Sequence, residues 1–224
     1  MKISVIIPVY NEEKYIGKCL NSLIKQIEPA DEIIVVNNNS TDKTAAIAKK
    51  YPVKIIKEAK QGISYARNAG FNAAEHEIIA RVDADTIVPV NWVKKLKANF
   101  KDQKIDALTG TLIFYDLPIK TTLPNNFYLD FVKLIQKNKG TLVGFNMAIR
   151  KEMWNKIKHK VYLDNRKMHE DVDLGLWINK VGGKIKHDKT LIVQASARRI
   201  LKNPRSFFIE YPLRFINTYL LKRK

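Results

Sequence analysis

Residues 2–9, KISVIIPV, form a short apolar run rich in β-branched side chains, and this run decides the fold. Two later runs, EIIVV at residues 32–36 and VKII at residues 53–56, repeat its character. Short continuous apolar runs are typical of strands that are covered on both faces. We therefore predict three buried parallel strands at the start of the chain.

Helical patterns separate these strands. The first connection follows Asn11, a residue suited to a helix N-cap, and its apolar residues recur at helical spacing: Ile16, Leu20, Leu23 and Ile27. Residues 41–50 form a shorter helical segment. The order β-α-β-α-β predicts an α/β fold, a mostly parallel sheet with helices on both faces and ligands at the carboxyl ends of the strands.

The alternation continues along the rest of the chain. We predict helices over residues 64–74, 125–136 and 170–181, and strands over residues 77–82, 107–114, 141–149 and 184–193. Gly182 and Gly183 end the last of these helices. No internal repeat and no low-complexity linker interrupts the pattern, so one domain accounts for most of the chain.

Composition sets broad limits. With 46% hydrophobic and 28% charged residues, the 224-residue chain is expected to be a soluble globular protein. Its formal net charge of +18 favours an anionic partner, such as a nucleotide diphosphate, an anionic lipid or a nucleic acid, although a lysine-rich surface without such a partner is the alternative. The single cysteine, Cys19, indicates a buried small hydrophobe and a reducing compartment.

The ends of the chain bear on its location. Residues 1–8 lack the features of a signal peptide, and no apolar stretch reaches the 18 residues that a membrane span requires, so we expect a cytoplasmic protein. Residues 203–224 mix aromatic and apolar side chains with basic ones, and from Arg198 onward eight Arg or Lys accompany Glu210 alone. This tail fits an interfacial helix on anionic lipid, on the inner face of the cell membrane, or a terminal helix packed on its own domain.

Asp83, Ala84 and Asp85 are the central chemical signal, because they directly follow the predicted fourth strand. Two carboxylates one residue apart can bind Mg²⁺ or Mn²⁺, which neutralise charge on a diphosphate. A solvated turn has the same composition, but the position at the ligand edge of an α/β sheet favours a metal site.

Polar side chains follow the first two strands as well. Pro8, Tyr10 and Glu12 lie at the end of the first strand, and Asn38 lies at the end of the second. Such groups can reach a base and a ribose, and they are equally common in turns and helix caps. The first strand has no G-x-G-x-x-G after it, so a Rossmann dinucleotide site is not expected.

Several motifs in this order resemble those of family 2 glycosyltransferases with the GT-A fold. The matching stretches are VIIPVYNEE, EIIVVNNNSTDKT, GISYARNAGFNAA, the DAD triplet, GFNMAIRKE and HEDVDLGLWI. The resemblance implies a nucleotide-sugar half at residues 1–100 and an acceptor half at residues 101–202, together one glycosyltransferase domain over residues 1–202, followed by the basic tail at residues 203–224.

The resemblance also implies roles for residues on the donor side. Pro8 and Asn38 would hold the nucleotide base, although Asn38 replaces the carboxylate of the family pattern and loses its charge assistance. Arg67 would lie near the diphosphate, Asp83 near the ribose or donor sugar, and Asp85 on the metal ion. The structural alternatives for Arg67 are a solvated helix face and a carboxylate partner.

On the acceptor side, the family's Glu-Asp motif makes Asp171 the general base, with Glu170 or Asp173 as substitutes. A carboxylate at a helix N-terminus is held ionised by the helix dipole, and it also simply stabilises such a helix. Further acceptor-side candidates follow from the motifs and from the basic segment after the last strand: Asn146, Glu170, Arg198 and Arg199. The two arginines could swing over the diphosphate or bind an acceptor phosphate, and a basic helix start has the same composition. His76, His159 and His169 lack ligand spacing and are predicted to be surface residues.

These expectations combine into one function. We predict an inverting transfer of a sugar from a nucleotide-diphosphate sugar, with a UDP-sugar as first choice, to the hydroxyl of a saccharide or lipid-linked acceptor with Mn²⁺ or Mg²⁺. A polyprenyl-phosphate glycosyltransferase at a membrane surface is one alternative. A non-enzymatic basic protein that binds anions or nucleic acid is another, although no nucleic-acid-binding module is recognised and nucleic acid is not an expected partner.

Overall fold

The computed structural model describes residues 1–136, 139–164, 168–203, 205 and 209–222. Seven strands of this part of the chain form a single sheet, and they are β1 (Ile3–Val9), β2 (Glu32–Asn37), β3 (Lys54–Lys57), β4 (Ile78–Arg81), β5 (Ala107–Phe114), β6 (Met147–Arg150) and β7 (Ile185–Ala195). The helices are α1 (Ile16–Ile24), α2 (Thr44–Ala48), α3 (Ile63–Ala73), α4 (Trp92–Phe100), α5 (Leu123–Ile135), α6 (Lys151–Ile157), α7 (Glu170–Lys180), α8 (Arg198–Lys202) and α9 (Tyr211–Lys222).

The strand order is β3-β2-β1-β4-β6-β5-β7. The first four strands of the chain run parallel, β6 is antiparallel to both β4 and β5, and β7 is parallel to β5. The predicted fold class, a mostly parallel sheet with helices on both faces, is therefore confirmed. The sheet continues across residue 100, so the two predicted halves share one sheet, and the division between them stays a prediction.

The core explains why β1 is apolar without alternation. Val5 and Ile7 pack into a cluster with α1 and α4, whereas Ile6 packs into a second cluster with α3 and α6 on the other face of the sheet. Successive strand residues point to opposite faces, so a strand covered on both sides needs apolar residues at every position.

Two local predictions are wrong. Asn11 does not cap a helix: α1 begins at Ile16, and Asn11 has a left-handed φ of 54° with its Oδ1 accepting from the Thr41 N–H at 2.8 Å. The side chain therefore joins two loops instead. The strand predicted over residues 141–149 is reduced to Met147–Arg150, because the backbone before it turns away from the sheet and the Gly144 N–H donates to Asp171.

The basic tail contains α9, which packs on the domain. The hydroxyl of Thr218 is buried and accepts from the backbone N–H of His169 at 2.8 Å, and Phe215 contacts Tyr128 of α5 edge to face at 6.0 Å. Among the described residues, no helix is both long enough and apolar enough to cross a lipid bilayer.

Candidate active site

The carboxyl ends of β1, β2 and β4 meet at one edge of the sheet because these strands are parallel. This edge brings together the residues that follow the strands, namely Glu12, Asn38 and Asp83. Asp83 and Asp85 lie in a turn after β4, where the Thr86 N–H donates to the Asp83 carbonyl at 3.0 Å. The predicted donor-side acids therefore do lie at the ligand edge of the sheet.

Arg198 joins two of these acids. Its Nε lies 3.0 Å from Oδ2 of Asp85, and its Nη2 lies 2.5 Å from Oε1 of Glu12. The guanidinium also covers the ring of Tyr15, with 4.2 Å between the guanidinium carbon and the ring centroid. A cation of the chain itself is thus held between two carboxylates, and α8, which Arg198 begins, contributes to the donor side of the site.

Burial acts strongly on these carboxylates. Burial raises the pKa of Glu12, and the hydrogen bond and charge of Arg198 only partly offset this effect. Burial likewise raises the pKa of Asp85, with a further increase from the negative charge of Asp83, while Arg198 and Arg199 act in the opposite direction. A nearby cation therefore stabilises the ionised form of both carboxylates.

The residues fit a divalent cation by chemistry. Glu12 and Asp85 present carboxylate oxygens, which Mg²⁺ and Mn²⁺ prefer, and Oε2 of Glu12 is buried with no hydrogen-bond partner. Asp83 pairs with Arg81 at 3.0 Å, whereas Asp85 pairs with Arg198 at 3.0 Å. Within the described part of the chain, no three acidic, histidine or cysteine side chains form a ready-made metal cluster.

A buried chain of ion pairs links the donor side to the start of α7. Nη1 of Arg67 lies 2.6 Å from Oε2 of Glu170, and Nη1 of Arg81 donates to Oε1 of the same carboxylate. Nη2 of Arg81 also donates to Oδ1 of Asp83 at 3.0 Å. Arg67 is fully buried and pairs with the Glu170 carboxylate, so the solvated-face alternative is wrong and the carboxylate-partner alternative is confirmed.

Arg81 is a residue that sequence reasoning missed. It occupies the last position of β4, and its charge is balanced on both sides by Glu170 and Asp83. Burial lowers the pKa of Arg67, whereas Glu170 and Asp83 more than compensate burial at Arg81 and raise its pKa. The available signal was an arginine inside an otherwise apolar strand, since a buried arginine requires acidic partners.

Gly144 allows this arrangement. A Cβ atom on Gly144 would lie 2.7 Å from Nη2 of Arg81, which is too close for any side chain. Its backbone N–H donates to Oδ2 of Asp171 at 3.1 Å. The loop before β6 therefore contacts both the buried arginine and the predicted base.

Asp171 is held at the first turn of α7. Its Oδ1 lies 3.1 Å from Nδ1 of His169, and its Oδ2 accepts from Gly144. Burial favours the neutral acid, but the hydrogen bond and charge of His169, the charge of Arg81 and the Gly144 N–H together lower the pKa of Asp171 to about 2. Asp171 is therefore an ionised, partly exposed carboxylate that can accept a proton, and its low pKa makes it a weak base.

His169 is not the surface residue that was predicted. Its ring is mostly buried, and burial alone would lower its pKa, but the hydrogen bond to Asp171 and the charges of Asp171 and Glu170 raise it. The sequence could not show the burial of His169, because α9 packs against this segment and its Thr218 accepts from the His169 N–H. Asp173, the other predicted substitute, is buried and accepts from the Tyr162 N–H at 2.7 Å.

The residues predicted to bind the nucleotide base lie in different environments. Asn38 is buried, with its amide donating to the carbonyls of Glu58 and Lys60 and its Oδ1 accepting from the Gly62 N–H. It therefore fixes the loop before α3. Tyr10 is half exposed, and Pro8 lies within β1 beside Val36. Roles for these residues in base binding stay predictions.

Two acceptor-side predictions also differ in outcome. Asn146 is fully buried, with its amide donating to the carbonyls of Thr111 and Leu191 and its Oδ1 accepting from Nε1 of Trp92. No acceptor can reach this side chain, so the structure gives it a structural position instead. Arg199 is exposed beside Arg198, and its charge acts on Glu12 and Asp85.

Fold and site together define a GT-A-type protein, with a mostly parallel sheet whose ligand edge carries carboxylates and buried arginines. The chain belongs to glycosyl transferase family 2, whose profile matches residues 4–160. The match spans β1 to α6 and therefore includes the donor-side acids but not Asp171 or Arg198.

Curated relatives cover part of the chain. The glycosyltransferase GlyA of Streptococcus pneumoniae is 36% identical over 114 residues, which are 49% of this chain and 16% of GlyA. The poly(ribitol-phosphate) β-N-acetylglucosaminyltransferase TarS of Staphylococcus aureus is 38% identical over 116 residues, which are 48% of this chain and 20% of TarS. The chain thus matches only a minor part of the length of these relatives.

Solved structures share the fold over most of the chain. The mannosyltransferase PcManGT of Pyrobaculum calidifontis, solved with GDP-Man and Mn²⁺, superposes with a TM-score of 0.80 at 19% identity over 99% of this chain and 64% of its own. TarS residues 1–349 with UDP-GlcNAc superpose with a TM-score of 0.70 at 25% identity over 88% of this chain and 59% of that one.

Proposed function

We propose that the chain transfers a sugar from a nucleotide-diphosphate sugar to an acceptor hydroxyl, with inversion at the anomeric carbon. One observation carries this proposal: Arg81 bridges Asp83, at the donor edge, to Glu170, the neighbour of the ionised Asp171. A donor-side acid and the residue next to the base are therefore held in one ion-pair network. A transfer reaction needs these two groups in a fixed relation.

The donor would bind at the carboxyl ends of β1, β2 and β4. Pro8, Tyr10 and Asn38 would contact the base, and Arg67 and Asp83 would lie near the diphosphate and the ribose. A UDP-sugar is the first choice; TarS was solved with UDP-GlcNAc and PcManGT with GDP-Man, so both bases belong in the test.

Asp85, with Asp83, would hold Mn²⁺ or Mg²⁺, and Glu12 supplies a further carboxylate beside Asp85. When bound, such a cation neutralises the negative charge that develops on the departing nucleotide diphosphate. Arg198 and Arg199 would add positive charge on the same side. Electrostatic stabilisation of the leaving group is the larger contribution to rate in such a reaction.

Asp171 would take the proton from the acceptor hydroxyl as the oxygen attacks the anomeric carbon. Its pKa of about 2 keeps it ionised at any physiological pH. General base catalysis contributes a factor of roughly 10² to 10⁴ in rate. His169 fixes the orientation of the carboxylate through the 3.1 Å contact to Oδ1.

A polyprenyl phosphate is the second candidate acceptor. Its oxygen is already ionised, so this acceptor would need no general base. The exposed apolar side chains of α5 and α9 favour a lipid-linked substrate. With either acceptor, we propose a cytoplasmic enzyme that binds peripherally to the inner face of the cell membrane.

The direct test is release of nucleotide from a panel of UDP- and GDP-sugars with Mn²⁺ or Mg²⁺. We expect release that depends on the metal and falls to background when EDTA is added. The Asp85→Asn variant should lose this release, whereas Glu152→Gln, a change at an exposed acid of α6, should retain it. A wild-type chain that releases nucleotide from no donor, with or without metal and acceptor, would contradict the proposal.

A further inference from the structure

A line of exposed apolar side chains runs along α5. Leu123, Phe127, Phe131 and Leu134 are 74%, 75%, 50% and 73% exposed. Their spacing of four, four and three residues places them on one face of the helix. The rings of Phe127 and Phe131 stack with 6.4 Å between centroids. Large apolar groups in one continuous exposed line usually mark an interaction surface.

The tail helix α9 adds a second line beside the first. Leu213, Ile216 and Leu220 are each more than half exposed, and Thr218 on the opposite side of α9 is buried. Ile216 and Leu220 share a groove with Ile135 at the end of α5. The exposed sides of α5 and α9 together form one surface, which we call the α5–α9 face.

The charge around the α5–α9 face indicates what covers it. Lys139 and Lys180 line the same groove as Ile216 and Leu220. Lys133 and Lys139 are exposed at the end of α5 and just after it. A second copy would bring two clusters of lysines together, and a nucleic acid could stack on the two phenylalanines but would gain nothing from the five aliphatic side chains of the face. An anionic lipid surface matches both the apolar and the basic groups.

We propose that the α5–α9 face docks on the surface of an anionic lipid bilayer. The apolar side chains would enter the boundary between headgroups and acyl chains, and the basic side chains would contact lipid phosphates. This places α5 in the membrane contact together with the tail. It also turns Phe215 away from lipid, because Phe215 packs between Tyr128 and Tyr219.

The α5–α9 face adjoins the acceptor side of the site. Thr218 of α9 accepts from the backbone N–H of His169, whose ring contacts Asp171. An acceptor that is anchored in the same lipid surface would therefore arrive beside the general base. This last step rests on the proposed transfer reaction, whereas the lipid contact specifies the face behind the proposed membrane binding and is tested without that reaction.

The test is flotation of the full chain with vesicles of phosphatidylcholine, with and without phosphatidylglycerol. We expect binding to the anionic vesicles only, and a loss of about tenfold or more in the double variant Phe127→Glu with Phe131→Glu. The matched control is Ile27→Glu with Val90→Glu, two exposed apolar residues far from α5 in the fold, which should bind as the wild type does.

Each outcome decides the proposal. Equal thermal unfolding temperatures of the two double variants show that a difference in vesicle binding comes from the altered surface and not from a loss of folding. Wild-type binding by the Phe127 and Phe131 variant, or no binding of the wild type to anionic vesicles, overturns the lipid contact. A wild-type dimer in light scattering that the same variant dissociates, without vesicle binding, assigns the face to a second copy instead. No donor or metal is present, so the result is independent of transferase activity.

Discussion

Arg198 lies 3.0 Å from Asp85 through its Nε, and the two residues are separated by 113 positions in the sequence. The same guanidinium contacts Glu12 and stacks on Tyr15. The donor-side acids are therefore neutralised by a cation that belongs to the chain. A metal ion that binds to Asp85 has to compete with Arg198, and a displaced Arg198 becomes available to the diphosphate.

This competition predicts that Arg198→Gln raises the affinity for Mn²⁺. Removal of one positive charge next to two buried carboxylates should tighten binding on the order of tenfold. Isothermal titration of the purified chain with Mn²⁺ measures the change. Arg205→Gln is the matched control, because Arg205 is an exposed arginine of the same C-terminal segment.

An unchanged or weaker Mn²⁺ affinity in Arg198→Gln, with Arg205→Gln also unchanged, would contradict competition at Asp85. A lower rate of transfer in Arg198→Gln at saturating metal is expected in addition, since the arginine can no longer neutralise the leaving group.

Replacement of Asp171 by Asn should lower kcat by roughly 10² to 10⁴ while the fold survives. The reason is that Asn keeps the shape of the side chain but cannot take a proton. Because the pKa of Asp171 is about 2, the wild-type pH profile should show no acid limb near the ordinary aspartate value of 3.8. Wild-type turnover in Asp171→Asn would refute the assignment of the base.

The pair of His169 and Asp171 predicts a pH dependence of stability. Folding raises the pKa of His169 above its ordinary value of 6.5, although burial opposes the increase, because Asp171 lies beside the ring. A raised folded pKa gives stability that is fully present below 6.5 and is lost as the pH rises through the folded pKa.

Urea unfolding of the wild type and of His169→Gln at a series of pH values measures this contribution. We expect the wild type to be more stable by about 1 kcal/mol on the acidic side of the transition and the difference to shrink at alkaline pH. A difference that is constant with pH would show that the pair does not titrate as a unit.

The buried ion pair between Arg81 and Glu170 predicts a large cost when one partner is removed. Arg81→Met should lower the free energy of unfolding by about 3–5 kcal/mol, because Glu170 and Asp83 lose their shared cation. Adding Glu170→Gln should cost less than the sum of the two single changes. Additive losses would mean that the two side chains are not coupled.

The control for this experiment is an ion pair in solvent. Lys54 and Glu75 lie 3.0 Å apart on the surface, and Lys54→Met should leave the free energy of unfolding nearly unchanged. The difference in unfolding free energy between Arg81→Met and Lys54→Met separates the effect of burial from the effect of removing a charge.

Much of the fold could be predicted because its signals are local. The apolar runs of β1 and β2 need no knowledge of their neighbours, and strand β5 lies at its predicted residues 107–114. The start of α1 and the extent of β6 were mispredicted because contacts between distant loops decide them, such as Asn11 with Thr41 and Gly144 with Asp171.

The candidate site was only partly accessible to sequence reasoning. Asp83, Asp85 and Asp171 follow from motifs, but Arg81 acquires its partner Glu170 only when α7 packs beside β4. The buried position of Asn146 was likewise not visible, since its three partners lie on β5, on β7 and at the start of α4.

The sequence alone determined the positions of the strands, the alternation with helices up to β4 and the placement of acids directly after β4, because hydrophobic periodicity and strand-end polarity are properties of neighbouring residues. Tertiary structure decided which charges meet. Glu170 lies 89 positions from Arg81 and 103 positions from Arg67, and only the packed interior, where an unpaired charge is costly, brings them into contact.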